Sequence, residues 1–582
     1  MSTFLDPFQP GALVDTIWGD AVLPDARLLP RLRKSVAMLV ERLEAPAASV
    51  PRKLLIGAQR FWNNVRVPPA SLRDPMIEHQ TGLLVGVPSL FVAHDTMEID
   101  LTGRYQPDDA GPLRSSHACG HLLHWALAID PETRRPLAAV ASEVWTRPMT
   151  TRKGDSASRP PEERESIKWK REILASVKAL KRARVRAVIT HLLDREGDTH
   201  DNLTFARAKG HRIITRAAQE HVIAEASGSL RKLLESSQGW AGETTCEREV
   251  PTKASESAMK EARKAGRAAV ESIRQTLKTM GGHRVATLRV RWARVTFTPD
   301  GHKKKSLRRK PVQVWVVHVR EQDVPAFVEP LEWVLLTTVP VATSDEALWV
   351  MEGYRSRWPI EPMHAVLKTG LQVEAHSVTD VASTQRLLAV LLPVSLHLVR
   401  WAYAWRADPK ALARTQVHAD VLVALKSACR YYELPLPRRE WTIKDVVLRL
   451  RAPSRSNAGV VGPLAGLATT VGLLATGALR TKRFARRSAR QTSTRRVEKT
   501  SEIVRCVPNG ATSGGRARGS GEGGSCKHRR SSMKNEGMPQ GRAPTSAVQS
   551  RTCQHPEPCP RPAGVGRAAA GKGARANTHA LR

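Results

Sequence analysis

The chain is short of acid. Its 55 Asp and Glu stand against 92 Lys and Arg, a formal net charge of +37 over 582 residues. That imbalance goes far beyond what solubility requires and implies a polyanionic partner, in the simplest case nucleic acid. Cysteine is scarce: seven residues, none arranged as CxxC. An odd, scattered set argues against a disulfide framework and suits a reducing cytoplasm. Aromatics make up only 5%, with Trp (14) ahead of Phe (8) and Tyr (5), and no function is read from that order. The first residues carry Asp6 and Asp15 without an apolar stretch, so no signal peptide is expected. The uncharged run at 458–479 spans 22 residues, enough to cross a bilayer. Its Gly, Ala and Thr content and Pro463 argue against a membrane helix, and no membrane partner is expected.

What is present changes character along the chain. Residues 1–70 read as a small helical unit. Leu28, Leu29, Leu32, Val36, Leu39 and Leu43 recur at helical spacing between Arg27, Arg31, Arg33 and Lys34, with Pro30 near the helix start. A second apolar and basic segment runs from Arg52 through Phe61-Trp62. From about residue 80 the pattern turns to strands: 89–94, 117–129 and 136–144 predict a three-stranded meander. A polar loop at 151–165, a helix over 166–183 and a buried strand over 185–193 follow, then a helix and a strand at 211–216.

Two carboxylates stand out in this region. Asp95 follows the run Ser89-Leu-Phe-Val-Ala-His94, and Asp194 follows the second apolar strand and opens Asp194-Arg-Glu-Gly-Asp198. Strand ends are where mixed α/β sheets build sites, and two aspartates on neighbouring strands can meet over one metal. Either aspartate alone also fits a turn or a helix cap.

Residues 217–325 have the pattern of an insertion. Glu256 to Met280 predicts a basic helix. Arg284 to Phe297 alternates, with Leu288, Val290 and Trp292 on one face and Arg289 and Arg291 on the other. A hairpin turn at Asp300-Gly301, basic runs at 303–305 and 308–310, and a strand over 312–319 complete it. Such an arginine-faced unit suits either a DNA backbone or solvent. A strand at 332–338 then leads to Tyr354-Arg-Ser-Arg357-Trp-Pro-Ile-Glu361-Pro-Met-His364-Ala-Val-Leu-Lys368. On a helix Arg357, Glu361, His364 and Lys368 share one face, with Val366 and Leu367 turned away. A carboxylate among cations suits metal binding beside a phosphate backbone, and it also fits a solvated charged face. Pro359 and Pro362 place the helix start beside Glu361. Helices are expected over 383–405, kinked at Pro393, and over 409–432.

Composition breaks near residue 452. From there to Arg582 stand one aromatic (Phe484), no Asp, five Glu and 24 Lys and Arg, a net of +19, with four of the seven cysteines. No periodicity survives, so a disordered basic tail is expected. Cys506, Cys526, His528, Cys553 and Cys559 have no spacing of a compact zinc site. The sudden loss of acids and aromatics reads as an out-of-frame continuation. A helical, aromatic-containing continuation in another frame of the coding DNA is the outcome that reading requires.

Two strand-end aspartates followed by the stretch at 354–368 resemble the DDE transposases of the bacterial IS-four group, Tn-five type. The stretch matches that group's Y-x2-R-x3-E-x6-K signature at every spacing. The resemblance covers roughly residues 12–450 and includes Trp18-Gly-Asp-Ala and Arg60-Phe-Trp-Asn-Asn-Val-Arg66. It implies an α/β fold with an RNase-H-like mixed-sheet catalytic core interrupted by a β-rich insertion. The layout would be a helical N-terminal DNA-binding domain (1–70), the first part of the core (71–216), the basic β-rich insertion (217–325) and the second part of the core with the signature helix (326–380). A C-terminal helical assembly region (381–450) and the disordered basic tail (451–582) would follow.

The resemblance also implies that Asp95, Asp194 and Glu361 are catalytic and hold two Mg²⁺ ions, with Mn²⁺ as a substitute. Tyr354, Arg357 and Lys368 would touch transposon-end DNA. Arg216 and Trp333 carry over as DNA-binding residues, the latter 21 residues before Tyr354 and stacking on a flipped base. Trp333 equally fits a core position, and His364 is added to the DNA-facing set from its place on the same stretch. The implied partners are double-stranded DNA (terminal inverted repeats and target) and a second copy of the chain, in a bacterial, nucleoid-associated cytoplasmic setting. The expected activity is metal-dependent strand cleavage and strand transfer. The alternatives are a decayed or inhibitory transposase that binds DNA without completing transposition, and a structure-selective nuclease of the same fold. The tail cuts short the helices that pair subunits in this group, which favours the first alternative.

Overall fold

The structure, a computed structural model, describes residues 10–41, 52–103, 106–115, 117–148, 164–225, 227–298 and 310–415, with scattered positions from 422 to 446. Most of the expected loop at 151–165, the Asp300-Gly301 turn, the basic runs that follow it and the whole of 451–582 lie outside the described residues.

Four helices open the chain: α1 (Pro10–Trp18), α2 (Leu28–Glu41), α3 (Arg52–Trp62) and α4 (Ala70–Gly82). Pro30 sits in the first turn of α2, where its missing N–H costs nothing. The leucine stripe of α2 faces inward: Leu32 and Val36 are fully buried with Trp18, Phe61 and Trp62. The Trp18 indole N–H donates to the Leu72 carbonyl at 2.8 Å, which ties α1 to α4.

A ten-stranded mixed sheet follows. Its members, in chain order with the intervening helices, are β1 (Ser89–Asp100), β2 (Gly111–Pro112), β3 (Cys119–Ile129), β4 (Pro136–Trp145), α5 (Ile167–Arg182), β5 (Val188–Leu193), α6 (His200–Lys209), β6 (Arg212–Arg216), α7 (Leu230–Glu235) and β7 (Gly242–Pro251). Then come α8 (Glu256–Ala265), α9 (Arg267–Met280), β8 (His283–Phe297), β9 (Val312–Glu321) and β10 (Glu332–Thr337). The strand order is β2-β3-β1-β5-β6-β10-β9-β8-β7, with β4 on β3. The meander β1-β3-β4 is antiparallel, and β5 and β6 run parallel to β1. Parallel pairing needs crossovers, and α5 and α6 supply them. One expectation needs correction: β1 does not stop at Asp95-Thr96 but continues to Asp100, paired with β3 throughout.

Strands β7 to β9, from the expected insertion, extend the same sheet through β10. The long helix expected over 256–280 is two helices, broken at Gly266, whose φ of 108° suits a residue without a side chain. The alternation predicted for β8 holds for Leu288 and Val290, but Arg291 is buried rather than solvent-facing. The reason is local. Helix α7 ends over this face, and Arg291 donates to the carbonyls of Leu234 and Ser236 at 2.8 Å while lying 4.3 Å over Trp240. It thereby caps carbonyls that the helix end leaves without partners.

Beyond the sheet come α10 (Ser344–Arg355), α11 (Ile360–Ala365) and α12 (Val381–Ala407). Helix α12 contains Pro393 and is apolar nearly all round. Its Val381–Ala404 portion is long and apolar enough to cross a membrane, yet 83% of the apolar window is buried inside the fold, as in a central core helix. Of the helix expected over 409–432, residues 409–412 are not helical, a single 3-10 turn covers Ala413–Thr415, and most of the remainder lies outside the described residues.

Candidate active site

The site is set by strand register. On the parallel pair β1 and β5, Ala93 stands opposite Leu192. Two residues further along each chain stand Asp95 and Asp194. Strand β5 ends there, whereas β1 continues, so Asp95 is a mid-strand residue beside its neighbour's end. Asp95 is held by the Thr96 N–H, which donates to Oδ1 at 2.9 Å. Asp194 caps a short 3-10 turn, Arg195–Gly197, by accepting the Glu196 N–H at 2.7 Å. The cap and the site are thus one residue. Gly197 is required at the end of that turn, because a Cβ there would come within 2.6 Å of Leu193 Cβ.

Burial, and then the Asp95 charge, push the Asp194 carboxyl up to about 6, against the opposing pull of Arg357 and Lys168. Crowded carboxylates in a partly buried site behave in this way.

The stretch from Tyr354 to Lys368 is not one helix face. A capping box between Thr343 and Glu346 starts α10, and Tyr354 lies in its last turn. A turn follows. Helix α11 then begins at Ile360 with Pro359 as its cap residue, so Glu361 sits in the first turn, as the prolines dictate. The chain continues as a π-helical turn, Val366–Gly370, which carries Lys368. Val366 and Leu367 are buried.

Arg357 occupies the turn between the helices. Its guanidinium donates to Asp95 Oδ2 at 3.1 Å and to Glu361 Oε1 at 3.3 Å, so one side chain links the sheet carboxylate to the helix carboxylate. Burial opposes its charge, but Asp95, with Tyr354, Glu361 and Asp194 behind it, holds its pKa above the ordinary arginine value. Tyr354 lies against Trp333 edge to face, ring centres 5.5 Å apart. Burial, more than the nearby Arg357 and Arg216 can offset, raises its phenol pKa. Arg216, on β6, donates to the Glu332 carbonyl at 2.8 Å.

His364 points inward. Its Nε2 accepts the Trp125 indole N–H at 2.8 Å, and its Nδ1 lies 3.9 Å from Asp95 Oδ2. Lys368 pairs with Glu374 at 2.7 Å. Asp95, Asp194, Glu361, Tyr354, Arg357, Arg216, Trp333 and His364 therefore gather where the central strands β5 and β6 end. Lys368 is turned toward the following loop.

Sequence reading missed the support behind Asp194. Lys168, on α5, is 4% exposed and pairs with Glu196 at 3.0 Å and Glu165 at 3.3 Å, between the rings of Trp145 and Trp169. Arg147 and Arg114 pair with the same acids. Asp198 is fully buried and accepts the N–H groups of Ala218 and Gln219 at 2.7 and 3.0 Å and the His221 ring at 2.9 Å. Only the acidic run at 194–198 hinted at these roles.

The carboxylate oxygens are the hard donors that Mg²⁺ and Mn²⁺ prefer, and a cation would offset the burial and the Asp95 charge that raise the Asp194 pKa. Among the described residues, no three His, Cys, Asp or Glu side chains already stand where they could hold one ion. Arg357 lies between Asp95 and Glu361 instead. No protein-family model matches the chain.

Proposed function

We propose that the chain is a DDE-type DNA transposase that cleaves and joins strands at the ends of an insertion sequence. The register that sets Asp95 level with Asp194, together with the guanidinium that ties Glu361 to Asp95, carries this reading. A core of three antiparallel strands continued by two parallel ones, with acids where the first parallel pair ends, supports an RNase-H-like assignment.

Asp95, Asp194 and Glu361 would hold two Mg²⁺ ions, or Mn²⁺ in their place. When bound, these ions supply charge stabilisation to the attacking and departing oxygens of an in-line displacement at phosphorus. The chain's own residues orient the reactants. Thr96 and Glu196 backbone N–H groups fix the two aspartates. Tyr354, Arg357, Arg216 and, once released from Glu374, Lys368 face the DNA backbone. Trp333 offers its indole, now set against Tyr354, to an unstacked base. The inverted repeats and target duplex are the substrates, and two copies of the chain act together in a nucleoid-associated, cytoplasmic setting.

The test is metal-dependent cleavage of end-containing DNA. Asp95→Ala, Asp194→Ala and Glu361→Ala are each expected to abolish cleavage and spare end binding. Cleavage retained in any one of them removes the assignment. The loss of acids and aromatics after residue 450 favours one second reading, a decayed or inhibitory transposase that binds ends without completing transposition. End binding without cleavage by the unaltered chain selects that reading.

A further inference from the structure

A cavity of about 460 Å³ lies between α4, β4 and α5. None of the carboxylates or cations of the candidate active site lines it. Ile77, Val140, Ala141, Ala175 and Ala179 give it one aliphatic wall, and charged side chains make up most of the rest. One inner lining group does not fit that wall. Glu172 is 2% exposed, and its Oε1 has no hydrogen-bond partner. An unpaired carboxylate in such a place is costly, so it is either neutral or matched by a cation. Burial, with Glu143 beside it, pushes its carboxyl well above the ordinary range.

Three further acids, Asp74, Glu78 and Glu143, lie on the same lining. Glu78 and Glu143 are each paired only loosely, at 3.4 Å, with Arg182 and Arg171, whose side chains are 72% and 57% exposed. Pairs of that kind contribute little and exchange partners readily. An inner acid, an aliphatic wall and outer acids held by weak pairs match a linear cation with charge at both ends. Four cations also line the cavity, but Arg73 is taken up by Asp74 at 2.8 Å, Arg171 and Arg182 are largely exposed beside Glu143 and Glu78, and the inner group with an unpartnered oxygen is an acid.

We propose that this cavity binds a linear aliphatic diamine or polyamine, one ammonium group on Glu172 and the methylene chain along the Ile77 and Val140 wall. The occupant is independent of the transposase reading. The chain's high positive charge also keeps non-specific uptake of polyamines low, which makes a specific site readable.

Calorimetric titration of the full chain with putrescine and with spermidine tests this. Saturable one-site binding is expected. Binding should release protons, because pairing with ammonium favours the ionised form of Glu172, so the heat varies with the buffer's ionisation enthalpy. Glu172→Gln should weaken binding at least about tenfold, with near-ultraviolet circular dichroism unchanged. Ala175→Leu, which fills space without touching charge, should weaken it too and guards against a folding defect in the first variant. Absence of saturable heat, equal affinity in Glu172→Gln, or preferential binding of succinate overturns the proposal. Tighter binding of an Nα-acetyl-lysine amide than of putrescine assigns the cavity to a partner protein's lysine and likewise overturns it.

Discussion

The indole N–H of Trp125 donates to Nε2 of His364 at 2.8 Å, and that bond fixes the imidazole tautomer. With Nε2 accepting, the proton sits on Nδ1, which faces Asp95. Burial lowers the His364 pKa further than Asp95 and Glu361 raise it, so the ring is neutral at pH 7. Trp125→Phe keeps the packing and removes the donor. It should cost about 1–3 kcal/mol, the penalty of a buried acceptor left without a partner, read from urea unfolding. The ¹⁵N shifts of His364 should then report mixed tautomers. Unchanged shifts and unchanged stability would show that the bond does not hold the ring.

Asp194 makes stability depend on pH. Burial and the Asp95 charge raise its carboxyl to about 6 in the fold, against an ordinary value of 3.8. The folded chain binds that proton more tightly than the unfolded chain. The resulting stability is therefore complete below 3.8 and is lost as pH rises through about 6. At roughly 1.4 kcal/mol per unit the loss is on the order of 3 kcal/mol. In the presence of chelator, Asp194→Asn should be more stable than the parent at pH 8 and no more stable at pH 3.5. Added Mg²⁺ should raise the parent's urea midpoint and leave the variant's unmoved. A variant less stable at every pH contradicts the charge account.

Much of this site was legible before the fold was known, because its parts are local. An apolar run that stops at an acid, and prolines that fix a helix start, are short-range signals. They located Asp95, Asp194 and the first-turn position of Glu361. Pairing is not local. Nothing in the chain between residues 95 and 194 states that β1 and β5 are neighbours, and nothing around Arg291 predicts that α7 will end over it. The single polar face expected from Arg357 to Lys368 failed for a related reason. Spacing of three and four implies a common face only if the helix is regular: Arg357 still reaches Glu361 from the turn before Pro359, but the π-helical turn at 366–370 carries Lys368 away to Glu374. Lys168 was invisible because it lies in a basic helix beside Lys170 and Arg171, and only the tertiary fold selects which cation is buried.

Lys168 is expected to act through the turn that carries Asp194. Its ammonium holds Glu196, whose backbone N–H in turn holds Asp194 Oδ1. Burial lowers the Lys168 pKa, while Glu165 works the other way. Lys168→Met keeps the stem between the two tryptophans and removes the charge. Because Glu165 and Glu196 are each 37% exposed and can be rehydrated, the stability cost should stay near 1–2 kcal/mol rather than that of a fully buried pair. Cleavage of end-containing DNA should fall by more than end affinity does. Equal losses in both would reduce Lys168 to a general folding role.

Arg357 joins two carboxylates on separate elements, and only a planar fork does that with one side chain. Without it, Asp95, Asp194 and Glu361 repel one another at a site where Asp95 and Arg357 are 11% and 15% exposed. Arg357→Gln should therefore cost about 3 kcal/mol in chelator, the scale of a broken, largely buried pair. Arg357→Lys should recover only part of this, since a point charge reaches one carboxylate at a time. If the loss is charge and not packing, millimolar Mg²⁺ should restore the urea midpoint of Arg357→Gln nearly to that of the parent, because a divalent cation supplies the missing positive charge. Under the proposed function it should not restore end binding, for which the guanidinium itself would be needed at the DNA backbone. A midpoint that Mg²⁺ fails to move would show that Arg357 holds α10 and α11 by shape, and that the three carboxylates do not form one site.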